Sequence, residues 1–195
     1  MFIAIEGLDG VGKSTIAKAL SARLSAELLS TPDPSLKEVR QVIDKEYGDT
    51  PLARQLFYTS SVVHLSAKVK HLKEQGKTAV VDRYWLSTQV YHNWKCSGLH
   101  FQLSEIVNRI QQPDFTVYLT LPLSIRNARL QAREVNTTED NLTLSAESDR
   151  LLDNAYRSFK ASKVAGVWIE IDASSGVNYI VDTIVEKTTS SKVHR

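Results

Sequence analysis

The stretch MFIAIEGLDGVGKST, Met1 to Thr15, decides how the rest of the chain is read. An apolar run, Phe2 to Ile5, enters a loop with the spacing G-x-x-x-x-G-K-[ST], running from Gly7 through Gly10, Val11 and Gly12 to Lys13 and Ser14. A buried strand that ends in such a loop and continues as a helix forms a phosphate cradle. The glycines let backbone N–H groups turn toward an anion, and the helix start adds the positive end of its dipole. Gly7 to Ser14 are therefore read as a phosphate-binding loop. In this reading Lys13 reaches the β- and γ-phosphates and the Ser14 hydroxyl binds Mg²⁺. Ile16, Leu20 and Leu24 recur at helical spacing, so the motif has its required strand before and helix after, with the helix expected to run to about Glu27.

Outward from the loop, strands and helices alternate. Short strands are expected at Leu28–Ser30, Thr78–Val81, Phe115–Leu121 and Val167–Ile171. Helices are expected from Leu36 to Lys45, Pro51 to Gln75, Tyr84 to Asn93, Leu103 to Ile110, Pro122 to Arg133, Ser145 to Lys160 and Val177 to Lys187. Thr50 before Pro51 reads as a helix N-cap, and Leu52, Leu56, Val63, Val69 and Leu72 as a core-facing stripe. Alternation of this kind argues for an α/β fold with a five-stranded parallel sheet flanked by helices on both faces. Ligands bind such sheets at the carboxyl ends of the strands. Gly7–Ser14, Thr31–Ser35, Asp82-Arg83 and Asp172 should therefore gather at one rim.

Composition narrows the function classes. With 195 residues, 42% hydrophobic and 24% charged, the chain suits one ordinary globular domain. A net charge of +2, with the charges interspersed and no run of one sign reaching five, offers no basic tract for a nucleic-acid partner. The single cysteine, Cys96, excludes an internal disulfide and a cysteine zinc site. No apolar stretch approaches the ~20 residues of a membrane span, and the phosphate loop lies too near Met1 to leave room for a leader. The expected location is the cytoplasm.

Three further groups carry chemistry. Asp82, at a strand end, can hold Mg²⁺ directly or through water, and Arg83 beside it can grip a second phosphate with its planar fork. On the next helix Tyr84, Ser87, Thr88 and Tyr91 fall at i, i+3, i+4 and i+7, a hydrogen-bonding and aromatic face suited to a base and sugar. Arg126, Arg129 and Arg133 share a helix face just before the polar stretch VNTTEDN. Arginines placed there can stabilise the charge that phosphoryl transfer spreads over its equatorial oxygens. Asp9, Arg40 and Phe57 are weaker candidates when taken alone.

FIAIEGLDGVGKST, DRYWLSTQVYH and PDFTVYLTLP with its arginine-bearing helix together resemble the thymidylate kinases, P-loop enzymes that move the γ-phosphate of ATP onto dTMP. The resemblance runs from Met1 to about Phe159. It implies a single three-layer P-loop domain with a lid at about 133–145, Mg²⁺ held through Ser14 and Asp82, and often a homodimer. It also implies that Asp9 contacts the acceptor's 3′-hydroxyl, that Arg40 and Arg83 hold its phosphate and that Phe57 stacks on its base. Thr88 would meet the base edge and Tyr91 would select deoxyribose. Because the loop reads Gly10-Val11 without an arginine, Arg129 and Arg133 take the part of lid arginines. Lys13, Arg83, Arg129 and Arg133 are then the catalytic set.

Three departures point to a divergent branch similar to the mitochondrial UMP–CMP kinase-like proteins. Ser61 stands where many members carry a base-reading arginine, Thr31-Pro32-Asp33-Pro34 replaces a bacterial loop, and Thr120 replaces a common Asp. A serine cannot reproduce a bidentate arginine, so dUMP and dCMP stand beside dTMP as acceptors. A deoxynucleoside kinase and a nucleotide-binding regulatory module are the remaining alternatives.

Overall fold

The computed structural model of the chain describes residues 1–96, 103–132 and 142–190. Arg133 and most of the expected lid at 133–145 lie outside the described residues. So do residues 97–101 of the expected irregular segment and the tail from 191.

The described chain runs β1 (Phe2–Gly7), α1 (Lys13–Leu24), β2 (Glu27–Ser30), α2 (Lys37–Glu46), α3 (Pro51–Glu74), β3 (Ala79–Asp82), α4 (Trp85–Lys95) and α5 (Ser104–Val107). It continues through β4 (Phe115–Thr120), α6 (Leu123–Gln131), α7 (Ala146–Arg157), β5 (Val167–Asp172) and α8 (Val177–Ser190). The five strands form one sheet in the order β2-β3-β1-β4-β5, and every neighbouring pair is parallel. This is the expected architecture. All six residues of the central strand β1 are buried, as both-face coverage requires. Backbone bonds continue past the strand ends: Arg83 N–H to Ile5 O (3.0 Å), Thr31 N–H to Asp82 O (3.2 Å) and Ala173 N–H to Thr120 O (2.8 Å). Those bonds tie the segments after β3, β2 and β5 to the ends of β1, β3 and β4, at one rim.

Where the elements differ from expectation, the causes are local. Helix α1 stops at Leu24 because Ser25 adopts a left-handed conformation (φ 48) and Ala26 N–H returns to Ser21 O (2.8 Å). No glycine marks that stop in the sequence. Helix α5 covers one turn rather than Leu103 to Ile110. Thr50 does occupy the N-cap of α3, but its side chain makes no capping bond.

The stripe expected on α3 is the largest correction. Leu52, Leu56 and Val63 are exposed, whereas Val69 is buried. The buried face instead runs through Gln55, Thr59, Val62, Ser66 and Val69, a regular helical spacing that mixes polar and apolar side chains. Ser66 earns its place by accepting the Gln111 N–H through its hydroxyl (2.6 Å). Hydrophobicity alone picks out the wrong face because polar groups line the interior one.

Candidate active site

The loop after β1 needs its glycines. Gly7 (φ 143) sits so close to β4 that a Cβ there would lie 2.5 Å from the Leu119 carbonyl oxygen. Gly10 (φ 84) and Gly12 (φ 100) adopt left-handed conformations that other residues resist. Lys13 is buried, and its Nζ donates to Leu8 O (2.7 Å) and lies 3.8 Å from Asp9 Oδ1. Burial, followed by the nearby Arg83 charge, pulls the Lys13 ammonium down to about 8. Ser14 and Thr15 are exposed at the start of α1.

Glu6 organises the strand end opposite. It is fully buried, with Oε1 accepting from Tyr84 N–H (2.9 Å) and Ser87 N–H (3.4 Å), while Oε2 takes the Ser87 hydroxyl. Burial raises its pKa against those bonds and against the Arg83 charge. The start of α4 is thereby fixed to β1, and Arg83 between them is held at φ 64. That turn points the Arg83 guanidinium at the Asp9 carboxylate. Tyr91 donates its hydroxyl to the other Asp9 oxygen (2.7 Å), with Arg83 lying over the Tyr91 ring (5.4 Å). Burial would raise the Asp9 carboxyl, but Arg83, Lys13 and Tyr91 outweigh it and hold it well below the usual range. Asp82 ends β3, directly before Arg83, and keeps Oδ1 buried without a partner among the described residues.

Helix α6 backs onto the loop. Arg126 is completely buried and Arg129 donates to Val11 O (3.2 Å) and Ala173 O (3.2 Å). Arg126 donates to Asp9 O (2.9 Å) and pairs with the Asp149 carboxylate. The expected arginine face, read as charge for the transferring group, is thus, at Arg126, an interior contact.

The face expected on α4 is also corrected. The Tyr84 hydroxyl donates to Gln111 O (3.0 Å) and Ser87 serves Glu6, so both point into the protein. Thr88 is buried with its hydroxyl on Tyr84 O (3.3 Å), and Tyr91 alone of the four reaches Asp9. Arg40 sits on α2, donating to the Tyr58 hydroxyl (3.0 Å) and Asp44 (3.3 Å). Phe57 and Ser61 line a separate cavity of about 280 Å³, together with Ser30, Asp33, His64 and Lys68. The Ser61 hydroxyl donates to Phe57 O (3.3 Å). The structure therefore joins Asp9, Lys13, Arg83 and Tyr91 in one cluster, backs it with Arg129, and places Phe57 and Ser61 in the cavity beside β2.

The thymidylate kinase family model matches residues 5–184. The chain belongs to the thymidylate kinase family. It is 30% identical over 197 residues to a probable thymidylate kinase of Natronomonas pharaonis, covering 95% of this chain and 96% of that one. A thymidylate kinase of Mycoplasma mobile is 26% identical, covering 96% and 97%. Among solved structures, thymidylate kinase from Candida albicans superposes with a TM-score of 0.76 at 22% identity, over 100% of this chain and 93% of that one. Deoxyadenosine kinase from M. mycoides superposes with a TM-score of 0.71 at 20% identity, over 97% and 100%. At those identities the likeness shows the fold.

Sequence reasoning passed over several buried polar residues of this thymidylate kinase family member. Glu6 had a visible signal, an acid inside an otherwise apolar strand directly before the loop. Gln55, Thr59 and Gln89 had none. All three are buried with polar side-chain atoms that no described residue pairs, on α3 and on α4, the helix packed against it. Unpaired buried polar atoms of this kind suit an interface completed by a polar ligand.

Proposed function

We propose that this member of the family transfers the γ-phosphoryl group of ATP to dTMP, giving ADP and dTDP. The observation that carries the reading is the Asp9 carboxylate, which belongs to the phosphate loop yet is held by Arg83, just after β3, and by Tyr91 on α4. One loop residue thus borders both the donor cradle and the acceptor cleft. Lys13 and Arg83 supply positive charge between them for the transferring group, and a helix start and loop amides hold the rest of the triphosphate. The protein's work is chiefly to bring two nucleotides into line.

Mg²⁺ fits the residues present. The exposed Ser14 hydroxyl and the unpartnered, buried Asp82 Oδ1 are hard oxygen donors, and Mg²⁺ is commonly held by few protein oxygens together with substrate phosphates. When bound, it would neutralise phosphate charge during transfer. Arg129 serves the donor phosphates, and Arg133, within a lid at about 133–145, completes the positive set. Arg40 serves the acceptor phosphate, Phe57 stacks on the base and Thr88 meets its edge. Tyr91, fixed on Asp9, crowds the sugar.

Ser61 favours a second reading, in which dUMP or dCMP is accepted alongside dTMP. The position that would carry a base-reading arginine holds a short hydroxyl already committed to the Phe57 carbonyl, and open space remains beside it. Steady-state turnover of dTMP, dUMP, dCMP and UMP with MgATP decides between them. A dTMP kcat/KM about tenfold or more above the others supports the first reading, and equal or reversed values support the second. ATP hydrolysis that ignores every acceptor would end both.

We propose a homodimer with α3 as its contact surface, a reading supported by the exposed Leu52, Leu56 and Val63. Among the described residues no helix is long and apolar enough to cross a membrane, and the reading places the enzyme in the cytoplasm.

A further inference from the structure

Arg126 has no exposed surface, and a buried guanidinium is costly unless its donors are engaged. One end, Nη1, donates to the carbonyl of Asp9 (2.9 Å). The other end, Nη2, pairs with Asp149 in the first turn of α7. The approach is close because Gly10 has no side chain. A Cβ there would lie 3.0 Å from Arg126 O, 3.3 Å from Arg126 Cβ and 3.1 Å from Leu130 Cγ.

The Asp9 carbonyl and the Gly10 N–H belong to one planar trans peptide, so they point in opposite directions. A donor that fixes the carbonyl toward α6 therefore turns the N–H to the other side of the loop. No described residue accepts the Gly10 N–H. A cation on the carbonyl also polarises the peptide and makes that N–H a stronger donor. Arg129 repeats the arrangement one turn along α6. It donates to Val11 O (3.2 Å), the carbonyl of the peptide that carries the Gly12 N–H. Both glycines after the pinned carbonyls have positive φ (84 and 100).

We propose that Arg126 is a positioning residue, which holds the Asp9 carbonyl from behind and so aims the Gly10 N–H at the phosphate bound in the loop. The inference rests on the loop holding the ATP triphosphate. It assigns Arg126 a part in transfer without contact to either nucleotide, and Asp149 the part of anchoring it.

The test compares wild type with Arg126→Met, Arg126→Lys and Asp149→Asn. Ile184→Ala, a buried truncation on α8, serves as the packing control. Each is labelled with [¹⁵N]glycine, which gives at most eight amide signals. In wild type, MgADP moves the Gly10 amide proton downfield. In Arg126→Met the movement shrinks and kcat falls by about 10- to 100-fold, while KM for dTMP stays within about twofold. Arg126→Lys, which can satisfy only one partner at a time, and Asp149→Asn fall between. Ile184→Ala keeps both kcat and the Gly10 signal despite lower thermal stability.

A full Gly10 response in Arg126→Met, or a rate loss no larger than that of Ile184→Ala at matched stability, overturns the proposal. Should Arg126→Met not fold, the lysine and asparagine variants carry the same comparison, and wild-type values in both overturn it. Failure of MgADP to move any loop glycine in wild type is the distinct result that would sink the triphosphate reading itself.

Discussion

Replacing Asp9 by asparagine isolates the charge cluster on which the site is built. The Asp9 carboxylate faces Arg83, takes the Tyr91 hydroxyl and lies 3.8 Å from the Lys13 ammonium. Asparagine keeps the shape and one acceptor oxygen but leaves two cations without their counter-charge. A unit pair at that spacing is worth about 4 kcal/mol at an effective dielectric near 20. The Arg83 side chain is 28% exposed, so screening and the retained hydrogen bond reduce the expected loss to about 2–3 kcal/mol. For a chain of this size that is a fall in Tm of roughly 5–10 °C. Bound phosphate supplies the missing negative charge. MgADP should therefore raise the Tm of Asp9→Asn more than that of wild type.

The pH dependence follows from the depressed Asp9 pKa. Its stabilisation is fully present above the unfolded value of about 3.9 and is lost as pH falls through the lower folded value. The gap between the two proteins should hold steady from about pH 5 to about pH 7, below the range in which Lys13 titrates, and close in stronger acid. Scanning fluorimetry across pH, with and without MgADP, measures all of this. Equal stability at neutral pH, or equal nucleotide-induced shifts, would refute the reasoning.

Lys13, drawn down to about 8 by burial, should take up a proton when phosphate binds near pH 8.5, and ATP affinity should fall as pH rises through about 8. Calorimetry in buffers of different ionisation enthalpy reads the proton directly, and Lys13→Ala should lose more than about a hundredfold in transfer rate. Gly7→Ala should destabilise by roughly 2–4 kcal/mol in urea unfolding, because its methyl would meet the Leu119 carbonyl at 2.5 Å. Leu56→Asp should leave the fold intact, since Leu56 is 49% exposed, yet sediment as a monomer if α3 is the dimer contact.

Much of the fold was legible because its signals are local. The glycines of the loop, the apolar strand before it and the β–α alternation are short-range patterns, and they led to the observed parallel sheet. Asp9, Lys13 and Arg83 were legible as candidates for the same reason, since Asp9 and Lys13 belong to the loop motif and Arg83 lies directly after a strand. The buried face of α3 was not, because Gln55, Thr59 and Ser66 look like surface residues until the partners across the helix are known. Arg126 was read as part of an arginine face for the same reason.

The sequence by itself determined the phosphate loop, the strand-end positions of Asp9 and Arg83, and the family, all of which rest on residue identity at fixed spacing. Only the tertiary structure decided that Glu6 fixes the turn carrying Arg83, that Tyr91 and Arg83 converge on Asp9, and that Arg126 braces the loop from behind. Those contacts join residues far apart in the chain. Their geometry is set by the packing of α4 and α6 around the sheet, and no local pattern encodes it.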